Sequence, residues 1–264
     1  MADPVAHRYG KKAVSVYRTE ADRLFACEVD LMVTGHSLVE SYTEGDNSLV
    51  VATDSMKNFI HEATLEFDGD SLEEFLSGIA GRFLDRYDHI TAVEVRGREV
   101  VFAGRGGAVR QRLYDDYAVA TVALHRKGEQ MEWSGRRALH LMKQTGSSFA
   151  GFVRDEFTTL PEARDRPLFV HLDTQWVNAD LGARAPSEAV RDVLVETFAD
   201  FDSASIQHLV HEMGVRVLER FPGIASISFE AQNRLWDTAR TSGSIAVYTD
   251  ARPPYGLIEL TVNR

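Results

Sequence analysis

The order of apolar patterns along the chain constrains its fold most: a pair of period-two segments, a pair of helical segments and a further pair of period-two segments, in that order and twice over. Residues 12–18, Lys-Ala-Val-Ser-Val-Tyr-Arg, alternate apolar and polar side chains as a half-buried strand does. Residues 23–36 extend the alternation, but Leu24, Ala26, Glu28, Leu31 and Val33 break the strict period at the middle. The two segments therefore read as a hairpin whose second strand carries a bulge. Asp54 stands where an N-cap precedes a helix over 56–66. Asp70-Ser71-Leu72-Glu73-Glu74 opens a second helix, with acidic residues where the helix dipole favours them. Leu72, Phe75, Leu76, Ile79 and Phe83 share one helical face. Residues 90–96 and 99–103 return to strand character, with Gly97 read as the turn between them.

The second half follows suit. Residues 115–125 and 166–178 read as strands, 187–201 and 203–221 as helices, and 224–230, 243–248 and 256–262 as strands. The join falls near residues 126–130, which divides the chain into domains 1–128 and 129–264; the repeat rests on element order alone. The fold class is α+β, with antiparallel sheets that each bury one face under paired helices. The other face must meet solvent or another subunit, and long strands with open edges favour association.

Composition narrows the function. The 264 residues are 44% hydrophobic and 26% charged, the balance of a soluble globular protein. A net charge of −11 argues against a nucleic-acid partner, which usually meets a basic face. Cys27 is the only cysteine, so no internal disulfide can form, which fits a reducing cytoplasm. No apolar run approaches the ~20 residues of a membrane span. The start has no signal-peptide pattern and the end no peroxisomal tripeptide, so a cytoplasmic protein is expected.

Familiar catalytic motifs are missing: there is no phosphate-binding Gly-rich loop with its lysine and no Cys-x-x-Cys pair. His208 and His211 lie three apart on a helix but lack a third ligand, so they read as surface histidines rather than a metal site. Gly104-Arg-Gly-Gly-Ala reads as a flexible turn, and Cys27 as a small core residue. Four other segments are less ordinary: Tyr9-Gly10-Lys11, Asp46-Asn47-Ser48 with Val51-Ala52-Thr53-Asp54, Phe152-x-Arg154-Asp155 with Thr158-Thr159-Leu160, and Tyr255-Gly256-Leu257-Ile258.

In that order and on that element pattern, the four segments resemble the urate oxidase family of the tunnelling-fold (T-fold) superfamily, nearly end to end. The resemblance implies two tandem T-fold domains and a tunnel-shaped homotetramer with active sites at subunit interfaces. It implies a purine substrate, O2 as co-substrate and no cofactor or metal. Lys11 and Thr53 match the family's proton relay, and Asp54 a backbone contact to the five-membered ring. Phe149 matches the ring that stacks on the substrate, Arg166 and Gln207 the clamp on its pyrimidinedione edge, Ile206 a further backbone contact, and Asn233 the asparagine near the O2 site. The implied reaction is oxidation of urate to 5-hydroxyisourate with release of hydrogen peroxide.

The residue types suit that chemistry. Urate is a planar anion, so a guanidinium fork and an amide can read its carbonyl and N–H edge together. A stacked aromatic ring adds contact area without demanding particular atoms. A lysine can act as base through a threonine hydroxyl.

One position departs from the family. Its Pro-Asn-Lys-His motif supplies a histidine two residues after the asparagine, on the same side of a strand. This chain reads Gln232-Asn233-Arg234-Leu235, and leucine carries no proton. The segments after this motif and near residues 98–112 are also short for the family. Three readings stay open: a slower urate oxidase whose relay runs through Lys11, Thr53 and water, an enzyme for a related heterocycle, or a purine-binding homologue with little turnover. A pterin-processing T-fold enzyme is the alternative from another class, although Gln207 stands where those enzymes carry glutamate.

Overall fold

The computed structural model describes residues 6–21, 23–106, 108–179 and 183–264. The chain divides into two compact units, residues 1–134 and 135–264.

The first unit opens with β1 (Tyr9–Glu20) and β2 (Arg23–Thr34), followed by a short 3-10 turn and α1 (Val39–Thr43). It continues with α2 (Thr53–Glu66), α3 (Leu72–Arg86), β3 (Ala92–Glu99), β4 (Phe102–Gly104), β5 (Arg110–Arg112) and β6 (Tyr117–His125). Its sheet runs β1-β2-β3-β6, antiparallel at each pairing. From Cys27 onward β2 alternates strictly: Cys27, Val29, Leu31 and Val33 are buried, and the residues between them lie on the other face. That apolar side packs with Met56 and Ile60 of α2 and Phe75, Leu76, Ile79 and Phe83 of α3. Burial of this kind contributes about 1.5–3 kcal/mol per large side chain.

The second unit holds β7 (Gln130–Lys143), which runs through the division, then β8 (Leu168–Asn178), α4 (Ser187–Asp200) and α5 (Ile206–Arg220). β9 (Ile224–Asn233), a hairpin of β10 (Asp237–Ser242) and β11 (Ile245–Thr249), and β12 (Gly256–Asn263) complete it. Its sheet runs β7-β8-β9-β12. Trp176 at its centre is fully buried among side chains of α4 and α5.

Several local expectations need correction. The bulge lies in β1, not β2: the register shifts between Lys11 and Val14, and Ala13 takes φ 57°. The carboxylate of Asp30 accepts the displaced Ala13 N–H at 2.8 Å, so the bulge is locked by a side chain across the hairpin. Gly97 is not a turn but the middle of β3, paired with Val29 and Ala120. A Cβ there would come within 2.8 Å of Leu72 Cδ1, so the glycine makes room for α3. Asp54 is not an N-cap: α2 starts at Thr53 behind Ala52, and Asp54 sits in its first turn. The strand read at 243–248 is β11, and its hairpin partner β10, like β7, had no counterpart in the sequence reading. The Gly104 stretch joins β4 to β5, as expected of a turn; its Gly107 lies outside the described residues.

The repeat reaches individual side chains. Ala138 (φ 56°) gives its N–H to Asp173 at 2.8 Å, as Ala13 does to Asp30. The two alanines occur in Gly10-Lys11-Lys12-Ala13-Val14 and Gly135-Arg136-Arg137-Ala138-Leu139. Ser71 caps α3 by accepting Glu74 N–H at 3.1 Å, and Ser205 caps α5 by accepting His208 N–H at 3.1 Å. Arg126 donates to the carbonyls of Leu84, Tyr87 and Ile90; Arg264 donates to those of Leu218, Phe221 and Ile224. Each arginine thereby satisfies orphan carbonyls at a helix C-terminus. Arg126, at the join expected near residues 126–130, thus holds the end of α3 within the first unit.

Candidate active site

In the second unit, Phe149, Arg166, Ile206, Gln207, Asn233 and Leu235 line one cavity of about 220 Å³. Leu160 and residues 256–258 complete its wall. The size is below the ~300–1,000 Å³ of pockets that take drug-sized ligands, and suits one or two fused rings.

Phe149 sits on the irregular segment after β7. Backbone bonds exchanged with Ala163, at 2.7 and 2.9 Å, hold it in place. Phe152 stacks on it in parallel, with centroids 4.9 Å apart and planes 13° apart, and Arg154 lies 5.6 Å from the Phe152 ring. The next turn is a side-chain turn: Asp155 accepts from Phe157 N at 3.1 Å and from Thr158 Oγ1 at 2.8 Å. The polar motif at 154–160 thus shapes a loop that brings Leu160 to the cavity.

Arg166 is tied down by its backbone N–H to Ser147 O at 2.9 Å. Its neighbour Asp165 accepts from Thr145 Oγ1 at 2.8 Å and Gly146 N at 2.9 Å, which holds that carboxyl below the usual range. The guanidinium lies 5.6 Å from the Phe149 centroid, and burial pushes its pKa down. Its Nε is buried with no hydrogen-bond partner. Ile206 is buried and Gln207 exposed in the first turn of α5. Asn233 ends β9, opposite Gly256 on β12, and its Oδ1 is also buried and unpartnered. Leu235 lines the same cavity and is 42% exposed. Buried polar atoms normally find partners; the two orphans here belong to residues that line the cavity.

Lys11, Thr53 and Asp54 belong to the first unit. Lys11 pairs with Leu31 just before the β1 bulge, and its side chain makes no hydrogen bond among the described residues. Thr53 is the first residue of α2. The Lys57 ammonium, bonded at 2.6 Å, holds the exposed Asp54 carboxyl below its ordinary value, with smaller help from the Asn58 hydrogen bond and the charge of Lys11. Among the described residues, no group of three or more His, Cys, Asp or Glu side chains is placed to hold a metal ion, and no helix is long and apolar enough to cross a membrane. Cys27 is fully buried; burial and then Glu99 push its thiol up to about 12. The sequence reading missed Leu160, Gly256, Leu257 and Ile258 as cavity wall, although the 158–160 and 255–258 motifs had singled out those segments.

Comparison with known proteins agrees with this picture. The pattern of the uricase family matches residues 7–102 and 133–259. A uricase of Haloferax volcanii is 37% identical over 97% of this chain and 97% of its own. A uric acid degradation bifunctional protein of Bacillus sp. (strain TB-90) is 38% identical over 91% of this chain, and the chain spans 53% of that protein's length. The crystal structure of a uricase from Bacillus fastidious superposes with a TM-score of 0.90 at 34% identity, covering 98% of this chain and 94% of that one. With the family pattern across most of the chain and one fold throughout, the chain belongs to the uricase family.

Proposed function

We propose that the chain is a urate oxidase that uses dioxygen and no cofactor. The observation that carries this reading is one cavity lined by Phe149, Arg166, Gln207 and Asn233, two of which, Arg166 at Nε and Asn233 at Oδ1, have an unpartnered buried polar atom. A flat anion with alternating carbonyl and N–H groups supplies what that wall lacks: an acceptor for the guanidinium, partners for the amides and a face for the ring. The names of its relatives, uricase and uric acid degradation protein, support the same substrate.

In this reading, Arg166 and Gln207 hold the pyrimidinedione edge, Phe149 stacks on the ring, and the backbone at Ile206 and Asp54 completes the grip. Lys11, through Thr53, removes a proton from urate. The electron-rich dianion gives two electrons to dioxygen, held near Asn233. Water adds at C5 to form 5-hydroxyisourate, and the reduced dioxygen takes up two protons and leaves as hydrogen peroxide. The two units are read as tandem T-fold domains, divided near residue 128, of a cytoplasmic homotetramer. Its tunnel joins the Lys11-Thr53 half of one chain to the Arg166-Gln207 half of another.

Leu235 is the test of this mechanism. Where the family carries histidine, this chain has an apolar, partly exposed side chain on the cavity wall. The purified protein is mixed with urate in air, and loss of urate's ultraviolet band and release of peroxide are followed, with Leu235→His in parallel. Turnover by the parent supports a relay through Lys11, Thr53 and water. An inactive parent that binds xanthine and gains turnover with Leu235→His is a purine-binding homologue. An inactive parent that does not bind xanthine overturns the reading.

A further inference from the structure

The first motif of the chain, Tyr9-Gly10-Lys11, contributes more than its lysine. Tyr9 and Lys11 pair with Val33 and Leu31, whose side chains are buried under α2 and α3, so both lie on the helix-bearing face of the sheet. The Tyr9 hydroxyl accepts the backbone N–H of Val51 at 2.8 Å and donates to the carbonyl of the same residue at 3.2 Å. One side chain therefore satisfies both backbone groups of a buried residue outside any strand, as a neighbouring strand ordinarily would. Val51 stands two residues before Thr53, and the intervening Ala52 accepts the first hydrogen bond of α2 from Met56 at 3.1 Å.

The lysine end is equally constrained. Gly10 lies so close to β2 that a Cβ would meet Leu31 O at 1.9 Å. After Lys11 the chain turns into the bulge that Asp30 locks. Burial raises the Tyr9 pKa, which keeps the phenol protonated and able to donate.

The structure assigns Tyr9 a positioning role: its hydroxyl holds Val51, and through it Thr53, at a set place relative to Lys11. The assignment rests on the reading of Lys11 and Thr53 as a working pair, and deepens it. Tyr9 touches neither substrate nor dioxygen. It fixes the distance over which the pair passes a proton, a setting in which an error of ~1 Å can cost ~10²-fold.

Tyr9→Phe keeps the ring in the core and removes only the hydroxyl. Two measurements separate this role from the parent reading. Hydrogen exchange of peptides spanning residues 50–54 is expected to rise about ten-fold or more with protection elsewhere unchanged, whether or not the protein turns over urate. In the active enzyme, kcat is expected to fall about 10–100-fold with a larger solvent deuterium isotope effect, while xanthine affinity, which loses at most the Asp54 backbone contact, falls by less than kcat does. Unchanged exchange at 50–54 overturns the assignment. So does faster exchange there with unchanged kcat in an active parent, because the contact is then only structural. An inactive parent whose Tyr9→Phe variant exchanges faster at 50–54 refutes the proposed activity and leaves the anchor standing.

Discussion

Arg166 presents a trade between stability and binding that can be measured in one variant. Among the described residues its side chain forms no hydrogen bond or ion pair; its Nε is buried and unpartnered, and burial lowers its pKa. A buried unsatisfied donor costs about 1–3 kcal/mol. Against this, stacking near Phe149 returns about 0.5–1 kcal/mol. Arg166→Met keeps the length and apolar packing of the side chain and removes the donor and the charge. The ligand-free variant is expected to be more stable by about 0.5–2 kcal/mol, which raises Tm by roughly 2–4 °C per kcal/mol in a chain of this size. Ligand binding should move the other way. Two charge-assisted bonds to a pyrimidinedione, about 1.5–3 kcal/mol each, correspond to a xanthine affinity lower by roughly 10²–10⁴-fold. Thermal unfolding with and without xanthine, and calorimetric titration, read both quantities. A variant that is several degrees less stable without ligand would show that the guanidinium is satisfied in the free protein. Xanthine affinity retained within about three-fold would remove Arg166 from the ligand site.

Three further outcomes follow from the packing. The folded Cys27 thiol lies at about 12, above the unfolded value near 9, so its stabilising contribution is complete below pH 9 and declines as pH rises from 9 to 12 by about 1.4 kcal/mol per unit. Cys27→Ala should lose less stability between pH 8 and pH 10 than the parent in urea titrations; equal losses would disprove the shift. Arg126→Ala and Arg264→Ala should each destabilise the protein by about 1–3 kcal/mol in denaturant unfolding, because each frees equivalent helix-end carbonyls; a large effect at one site alone would break the equivalence of the two units. Asp30→Ala should cost about 1–2 kcal/mol by releasing the Ala13 N–H, and Asp30→Asn, which keeps an acceptor, should recover most of it; equal effects would mean that charge, not the bonded bulge, matters at Asp30.

The sequence by itself determined the four long helices, because apolar residues at helical spacing and the serines before Leu72 and Ile206 are local signals carried within a few turns. The cavity-lining Phe149, Arg166, Ile206, Gln207 and Asn233 were named from the sequence only through motifs: neither composition nor periodicity links Phe149 to Asn233. The finer internal repeat was also there to be read. Thr53 to Ile90 aligns with Ser187 to Ile224 at constant offset, with Ser71 over Ser205, Arg82 over Arg216 and Leu84 over Leu218. Element order alone had concealed it.

The tertiary structure decided what depends on a neighbour distant in sequence. β7 escaped the reading because Ser134-Gly135-Arg136-Arg137 interrupts its apolar pattern; the ion pair that makes the buried Arg136 acceptable in a strand comes from Glu188 on α4, 2.6 Å away. Gly97 looked like a turn because a glycine's use is set by what approaches it, here Leu72 on α3. The bulge fell on β1 because Asp30 of the facing strand captures Ala13. Periodicity records which face of an element is apolar. Register, bulges and the convergence of Arg166, Ile206 and Asn233 on one cavity are set by long-range pairing, and that pairing exists only when the chain is folded.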